Sequence, residues 1–352
     1  WILARLFGRE PRRADITPSV SLLLPVYNEE AHIEQKLRNS LALDYPKEKL
    51  EIVVASDGST DATNALVKRF EAQGVRLLAV SDHIGKSAIL SRTVPLLRGD
   101  IVVFSDATIA LAPDAIRRLV RSFADRSVGA VSAAYRVDSG GDLRSQGEGL
   151  YWRYESFLKR QESRLHSIIG AHGPCYAIRK PLFARLETTQ INDDYLIPMR
   201  AITQGYRVVY DPEVVVGERE LVSVEGELAR RRRIAAGNCQ QLIELRHLLS
   251  PFRGWVALCF FSHKVLRTAA PFVMIALCMS SFWLPLPLAA AALAGQAALY
   301  ASAFAGYVSH RCGRPVRLLS PPFYFCLGNL AMLAGVLRFL FSRRRYTWER
   351  AR

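Results

Sequence analysis

The sequence predicts an α/β protein: a mostly parallel, doubly wound sheet, followed by interfacial helices and then by C-terminal helices that cross a membrane. Three observations carry that prediction. Across roughly Thr17–Ser250, short apolar β-rich runs alternate with helical patterns, which is how parallel sheets are built. From Thr268 to His310 there is no Asp, Glu, Lys or Arg, a run of 43 residues. From Pro251 onward the chain carries 12 Lys and Arg against a single acid, Glu349, so +11 of the net +15 sits there.

In chain order, the expected strands are Val20–Leu24, Glu51–Ala55, Arg76–Ala79, Asp100–Phe104, Gly129–Ala133 and Arg207–Tyr210. Helical patterns lie between them at Glu30–Leu43, Asp61–Gln73 and Pro113–Ala124. Sheets of this kind bind ligands outside the carboxyl ends of their strands, and the polar clusters of the sequence fall there. Neither GxGxxG nor GxxxxGK[ST] occurs, so dinucleotide and P-loop chemistry are not indicated. The six cysteines are scattered without a CxxC pair, which argues against a disulfide framework and a zinc ribbon.

One helix of the charge-free run would be roughly 65 Å long, about twice a ~30 Å hydrocarbon core. It therefore reads as two crossings, about 268–284 and 287–308, with Pro285 and Pro287 at the hairpin. A further apolar run, Leu318–Leu337, lies between Arg317 and Arg338 and supplies a third segment at about 321–340. A buried core helix pair is the competing reading, but soluble helices keep a polar face. Pro251–Arg267 mixes aromatics with Arg253, His263, Lys264 and Arg267, which suits the headgroup region. Residues 226–267 thus read as basic interfacial helices and 342–352 as a basic tail. Residues 1–16 read as a membrane-proximal segment; the chain opens on Trp1, and WILARLF resembles the trailing end of a membrane helix. Two crossings return Arg311, Arg314 and Arg317 to the side of the sheet domain, whereas a third would send Arg343–Arg345 across, against the positive-inside tendency. The sequence leaves that choice open. Charge excess beside apolar segments points to a lipid bilayer as partner and away from nucleic acid.

The first strand runs into Pro25-Val-Tyr-Asn-Glu-Glu30 and the second into Ser56-Asp57-Gly-Ser-Thr-Asp61. A carboxylate at a strand end, such as Asp57, accepts hydrogen bonds from a base or ribose, and Asp61 is a capping candidate for the next helix. Three more clusters follow: His83-Ile-Gly-Lys86, Phe104-Ser-Asp-Ala-Thr108 and Asn192-Asp-Asp-Tyr-Leu196. Taken singly, each has a plain structural reading as a turn, a solvated lysine or a helix cap.

In this order the five clusters resemble the inverting nucleotide-sugar glycosyltransferases of family 2, with the GT-A fold. The apolar segments behind them resemble the polysaccharide-synthase branch, which includes cellulose, chitin and hyaluronan synthases. The resemblance implies a GT-A domain over 17–225, with Asp194 as the base that deprotonates the acceptor and Asp193 beside it orienting the helix end or tuning the site. It implies Glu29 and Asp57 as nucleoside contacts and Lys86 at the base or a phosphate. Asp106 takes the DxD position and is the one metal-ligand candidate, for Mg2+ or Mn2+; Thr108 replaces the second acid. Where processive relatives carry QxxRW, this chain has Arg230-Arg-Arg-Arg233-Ile234. Arg233 falls on the motif's arginine, and with Arg230 is placed at the donor diphosphate, which guanidinium groups grip bidentately; a basic helix face at the membrane is the alternative. Tyr151, Trp152 and His172 are placed near the acceptor, with core packing as the alternative for each.

These readings imply a membrane-bound inverting hexosyltransferase that takes its sugar from a UDP-sugar, GDP not being excluded, and adds it to a growing cell-surface polysaccharide or oligosaccharide. Its partners would be the nucleotide sugar, a glycan or lipid-linked acceptor, the bilayer, and export or synthase-complex proteins. Its place would be a bacterial-type inner membrane, multi-pass, with the catalytic domain in the cytosol. Transfer to a polyprenyl phosphate is the alternative enzyme reading. A non-catalytic nucleotide-binding membrane protein is the other.

Overall fold

The computed structural model describes residues 1–137, 143–188, 190–218, 224–312, 314 and 316–341, without the side chains of 136–151 and 218–230. Helix α1 (Ile2–Phe7) precedes strand β1 (Val20–Val26), α2 (Ile33–Leu41), β2 (Leu50–Asp57), α3 (Thr63–Lys68), β3 (Val75–Val80), α4 (Lys86–Thr93) and β4 (Ile101–Ser105). Then come α5 (Ala115–Val120), β5 (Val128–Val137), α6 (Leu143–Leu165), β6 (Cys175–Arg179), α7 (Asp193–Thr203) and β7 (Arg207–Glu218). The strands form one sheet in the order β3-β2-β1-β4-β6-β5-β7. All neighbours are parallel except β6, which is antiparallel to β4 and β5.

The apolar run Val20–Val26 is buried along its whole length, as expected of a central strand covered on both faces. Alternate side chains feed two separate cores. Leu22, Leu24 and Val54 join Ile33, Leu37, Ile116 and Leu119 of α2 and α5. Leu23, Val53 and Ala55 join Leu90, Ile197, Met199 and Phe260 on the other side. The second core thus runs without a break from α4 and α7 to the helix that begins at Trp255.

All six strands expected from sequence are present, most of them longer. β5 and β7 extend to Val137 and Glu218 across a register shift at Ala133/Ala134. β6 was not expected; Cys175–Arg179 follows a Gly-His-Pro-rich stretch and carries no alternation that marks it as a strand.

Beyond the sheet lie α8 (Val224–Glu244), α9 (Trp255–Phe260), α10 (Leu266–Ser280), α11 (Leu286–Arg311) and α12 (Ser320–Phe341). A π-helical turn, Phe261–Val265, joins α9 to α10. Among the described residues, three segments are long and apolar enough to cross a membrane: Trp255–Trp283, Leu286–Arg311 and Ser320–Phe341. The first begins earlier than the expected 268, because the π-turn continues the helix through the charged stretch. Pro285 caps α11 and Pro287 lies in its first turn, where proline costs no hydrogen bond.

Candidate active site

The loops after β1 and β2 interlock. Asn28 Oδ1 accepts from the Thr60 amide at 2.8 Å, and Ser59 Oγ accepts from the Asn28 amide at 3.1 Å. Thr63 Oγ1 accepts from the Glu29 amide, while Asp61 accepts from Glu30 and Thr63 and Glu30 Oε2 accepts from Ala62. Glu29 Oε2 lies 3.0 Å from His32 Nδ1. The sequence reading of Asp61 as a cap is too narrow, since its carboxylate also ties one loop to the other.

Asp57 closes β2 and is 1% exposed. Its Oδ1 accepts from the Ile84 amide at 2.9 Å and its Oδ2 from the Gly85 amide at 2.9 Å. His83 Nδ1 lies 2.9 Å from Oδ2, and the His83 ring stacks on Tyr27 with centroids 4.0 Å apart. Asp57 therefore holds the loop that delivers Lys86, the first residue of α4.

Lys86 sits among carboxylates. Its Nζ is 3.2 Å from Asp106 Oδ1 and 3.7 Å from Asp193 Oδ2. Burial alone would lower the lysine's pKa, but Asp106, Asp193 and Asp194 outweigh it and raise it. Asp106 follows β4, and its amide donates to the Pro174 carbonyl at 3.2 Å. From below, Lys36 Nζ donates to Ser105 Oγ at 2.7 Å and to the Ile109 carbonyl at 2.6 Å, fixing the loop that carries Asp106. Lys36 is 2% exposed, and burial pushes its pKa down to about 8. Sequence reading missed Lys36, whose helical context looks like that of any surface lysine.

Asp193 and Asp194 occupy the first turn of α7, entered through Asn192 in the left-handed region at φ 59°. Burial, with Asp193 adding to it, pushes the Asp194 carboxyl up to about 6, against the opposing pull of Lys86 and Lys264. Two glycines leave room for this turn. A Cβ on Gly173 would lie 2.6 Å from Asp194 Oδ2, and one on Gly170, at φ +84°, would run into the Tyr195 ring.

Helix α8 backs the same turn. Asn192 Nδ2 donates to the Ile234 carbonyl at 3.2 Å, and Gln240 and Gln241 bond to Ile191 and Asn192. A Cβ on Gly237 would lie 2.5 Å from Asn192 Nδ2. Arg233 is thus carried one residue before the contact with the acidic turn. The π-turn brings in Lys264, whose Nζ donates to Asn238 Oδ1 at 2.7 Å and lies 3.5 Å from the centroid of Tyr195. Sequence reading assigned Lys264 to the headgroup region; the structure buries it beside the acidic turn.

Near the residues expected at the acceptor, α6 is tied to the π-turn and α10 by a buried ionic cluster. His263 Nδ1 is 2.6 Å from Glu162, His263 Nε2 is 3.2 Å from Glu155, and Arg267 Nη1 is 3.2 Å from Glu155. Burial alone would raise the Glu155 pKa, but His263, Arg267 and Lys159 hold it well below the usual carboxylate range. Lys159 Nζ also donates to the Gly170 carbonyl at 2.6 Å. His172 is 5% exposed and packed edge-on against Trp152 and Tyr210. Burial pushes its pKa down to about 3, so it stays neutral near pH 7. Trp152 packs partly buried against the core and edge-on to Tyr135. The side chains of Tyr151 and Arg230 lie outside the described residues.

Residues 21–186 match the family model described as Glycosyl transferase family 2. Over that stretch, just under half of the chain, the sequence is similar to glycosyltransferase family 2 domains. It is 25% identical over 276 residues to the beta-monoglucosyldiacylglycerol synthase of Synechocystis, covering 76% of this chain and 58% of that protein. It is 26% identical over 230 residues to the poly-beta-1,6-N-acetyl-D-glucosamine synthase of Staphylococcus aureus, covering 60% and 55%. The chain thus spans somewhat more than half the length of these curated relatives. Among solved structures, it resembles the mannosyltransferase PcManGT from Pyrobaculum calidifontis, in complex with GDP-Man and Mn2+, with a TM-score of 0.71, 26% identity and coverage of 98% and 94%. The matched residues include β2 to β6 together with Asp57, Lys86 and Asp106.

Proposed function

We propose that this protein is a membrane-bound, inverting glycosyltransferase that moves a sugar from a nucleoside diphosphate donor to a growing polysaccharide or oligosaccharide. The observation that carries the reading is the convergence of Asp106, Asp193, Asp194 and Lys86 at the ends of β4, α7 and α4, with Lys86 3.2 Å from Asp106. Inversion needs one displacement, assisted by a base. Asp194 is that base: it takes the proton of the acceptor hydroxyl as the oxygen attacks the anomeric carbon, and the nucleoside diphosphate leaves. A carboxyl with a pKa near 6 is ionised at neutral pH yet more basic than an ordinary aspartate.

The leaving diphosphate gathers negative charge, which the site must stabilise. Lys86 would turn from Asp106 to a phosphate oxygen, joined by Arg233, which precedes Ile234, the residue of α8 whose carbonyl accepts from Asn192. Asp57 positions the Lys86 loop, and Glu29 stands on the interlocked loops expected to meet the nucleoside. Among the described residues, no group of three or more His, Cys, Asp or Glu gathers to hold a metal. Asp106, with its side chain 40% exposed, fits as a single protein ligand for Mg2+ or Mn2+, the donor's diphosphate supplying other oxygens. The cation would offset phosphate charge there.

Transfer to a lipid-borne acceptor is the second reading, favoured by the Glu155–His263–Arg267 cluster that fixes α6 to the start of an apolar helix. Both readings place the catalytic domain against the bilayer, on the cytosolic side where nucleotide sugars are made. The test is to incubate the protein in membranes with radiolabelled nucleotide sugars and partition the product. Water-soluble or high-mass product supports the polysaccharide reading; label confined to a solvent-soluble monoglycosyl lipid replaces it with the second. No transfer with any UDP- or GDP-sugar, with binding retained, would overturn both.

A further inference from the structure

We propose that α12, the third of the apolar helices, does not cross the membrane but lies along its catalytic face, one side on α8 and the other in lipid. The inference rests on the reading that the two preceding segments do cross.

The first observation is the partner. α8 and α12 share the most extensive helix–helix packing among the described residues, and α12 also touches α6. Gly328, Ala331 and Gly335 recur at helical spacing and so share one face of α12. That face meets α8 closely: a Cβ on Gly335 would lie 2.4 Å from Ala235 Cβ and 2.8 Å from the Arg232 carbonyl, and one on Gly328 would lie 3.1 Å from Arg231 Nη1. Asn238 Nδ2 reaches Met332 Sδ at 3.9 Å. The same stretch of α8 is bonded on its other side to Ile191 and Asn192 of the acidic turn. If α12 crossed, it would carry Arg231, Arg232, Arg233 and Asn238 into hydrocarbon, where unpaired charge is strongly disfavoured.

The second observation is where α10 and α11 are covered. Their buried residues are Thr268 and Pro271 in α10, and Ala303, Gly306 and His310 in α11. All lie at the ends nearest the catalytic domain. At the hairpin, Phe282, Trp283 and Leu286 are 72%, 78% and 83% exposed. Gly306 meets Leu319 and Phe323, and His310 lies against Phe323 and Tyr324. α12 packs on α11 and α10 as well as on α8, its first turns lying on Gly306 and His310.

The third observation is the opposite face. Leu330, Leu337 and Phe341 share it and are 59%, 41% and 81% exposed, an apolar strip suited to the acyl boundary. In this arrangement Arg338 stays on the same side as Arg311, Arg314 and Arg317, as the positive-inside tendency favours.

The test is one of sidedness, in sealed vesicles holding the full chain with Cys312→Ser, using a membrane-impermeant maleimide. Lys68→Cys, exposed on α3, marks the catalytic side, Leu286→Cys marks the hairpin, and Arg338→Cys, with Leu340→Cys as a second reporter off the lipid-facing strip, marks the end of α12. Arg338→Cys and Leu340→Cys should react from the side of Lys68→Cys, and Leu286→Cys from the opposite side. Reaction of the α12 cysteines from the Leu286→Cys side, or only after detergent is added, would overturn the proposal. Reaction of Leu286→Cys from the Lys68→Cys side would instead overturn the two crossings on which it rests.

Discussion

Lys86 Nζ lies 3.2 Å from Asp106 Oδ1, so the carboxylate that follows β4 already faces a cation. With Thr108 two residues on, the site keeps one acid there and pairs it with a lysine. In the proposed mechanism the lysine meets the incoming diphosphate. Charge-assisted contacts contribute about 1.5–3 kcal/mol. Lys86→Met should therefore raise the donor KM by roughly ten- to a hundredfold, with Lys86→Arg intermediate, as read by initial rates of nucleotide release. An unchanged KM in Lys86→Met would remove the lysine from the donor site.

The acidity of Asp194 sets the pH dependence. A base works only when ionised, and burial with Asp193 holds its pKa at about 6. Turnover should rise with pH through about 6 and level off above it, the opposite of what an acid catalyst gives. Lys264 opposes that upward shift, so Lys264→Met should move the midpoint to higher pH. A kcat profile flat from pH 5 to 8 would argue against a carboxylate base.

Gly173 leaves the space that the Asp194 carboxylate occupies. A methyl there would lie 2.6 Å from Oδ2, closer than non-bonded carbon and oxygen tolerate. Gly173→Ala should lower kcat by about tenfold or more, since small misplacements of reacting groups are costly, while melting changes little because the core is untouched. Equal loss of kcat and of melting temperature would instead point to a folding defect.

Asp57 binds its own loop through the amides of Ile84 and Gly85 and the His83 ring. In Asp57→Asn the amide NH2 would face one of those donors. If the carboxylate acts by placing Lys86, UDP- and GDP-sugars should lose affinity alike, by about tenfold for one charge-assisted bond. A loss confined to one nucleotide, measured by titration calorimetry, would show that Asp57 reads the base directly.

Much of this was legible in the sequence because the relevant physics is local. Buried parallel strands read as apolar runs, and Asp57, Asp106 and Asp194 stand at or just beyond strand ends or at a helix start, where chain order alone places them. The remainder depends on contacts between distant segments. Lys36 meets Ser105 and Ile109 across more than 60 positions, and Lys264 reaches Asn238 and Tyr195 only because a π-turn rotates it inward. Gly237 matters for its approach to Asn192, which no spacing rule reveals. β6 escaped for a related reason: its strand character comes from pairing between β4 and β5, not from its own pattern.

The central claim is that Asp194 is the base of a sugar transfer. It is tested most directly by nucleotide release from the protein in lipid nanodiscs, offered UDP- and GDP-sugars with Mg2+ or Mn2+, wild type beside Asp194→Asn. The account predicts release with at least one donor and a loss of about a hundredfold or more in Asp194→Asn, with donor binding retained. Release by Asp194→Asn at the wild-type rate would contradict it.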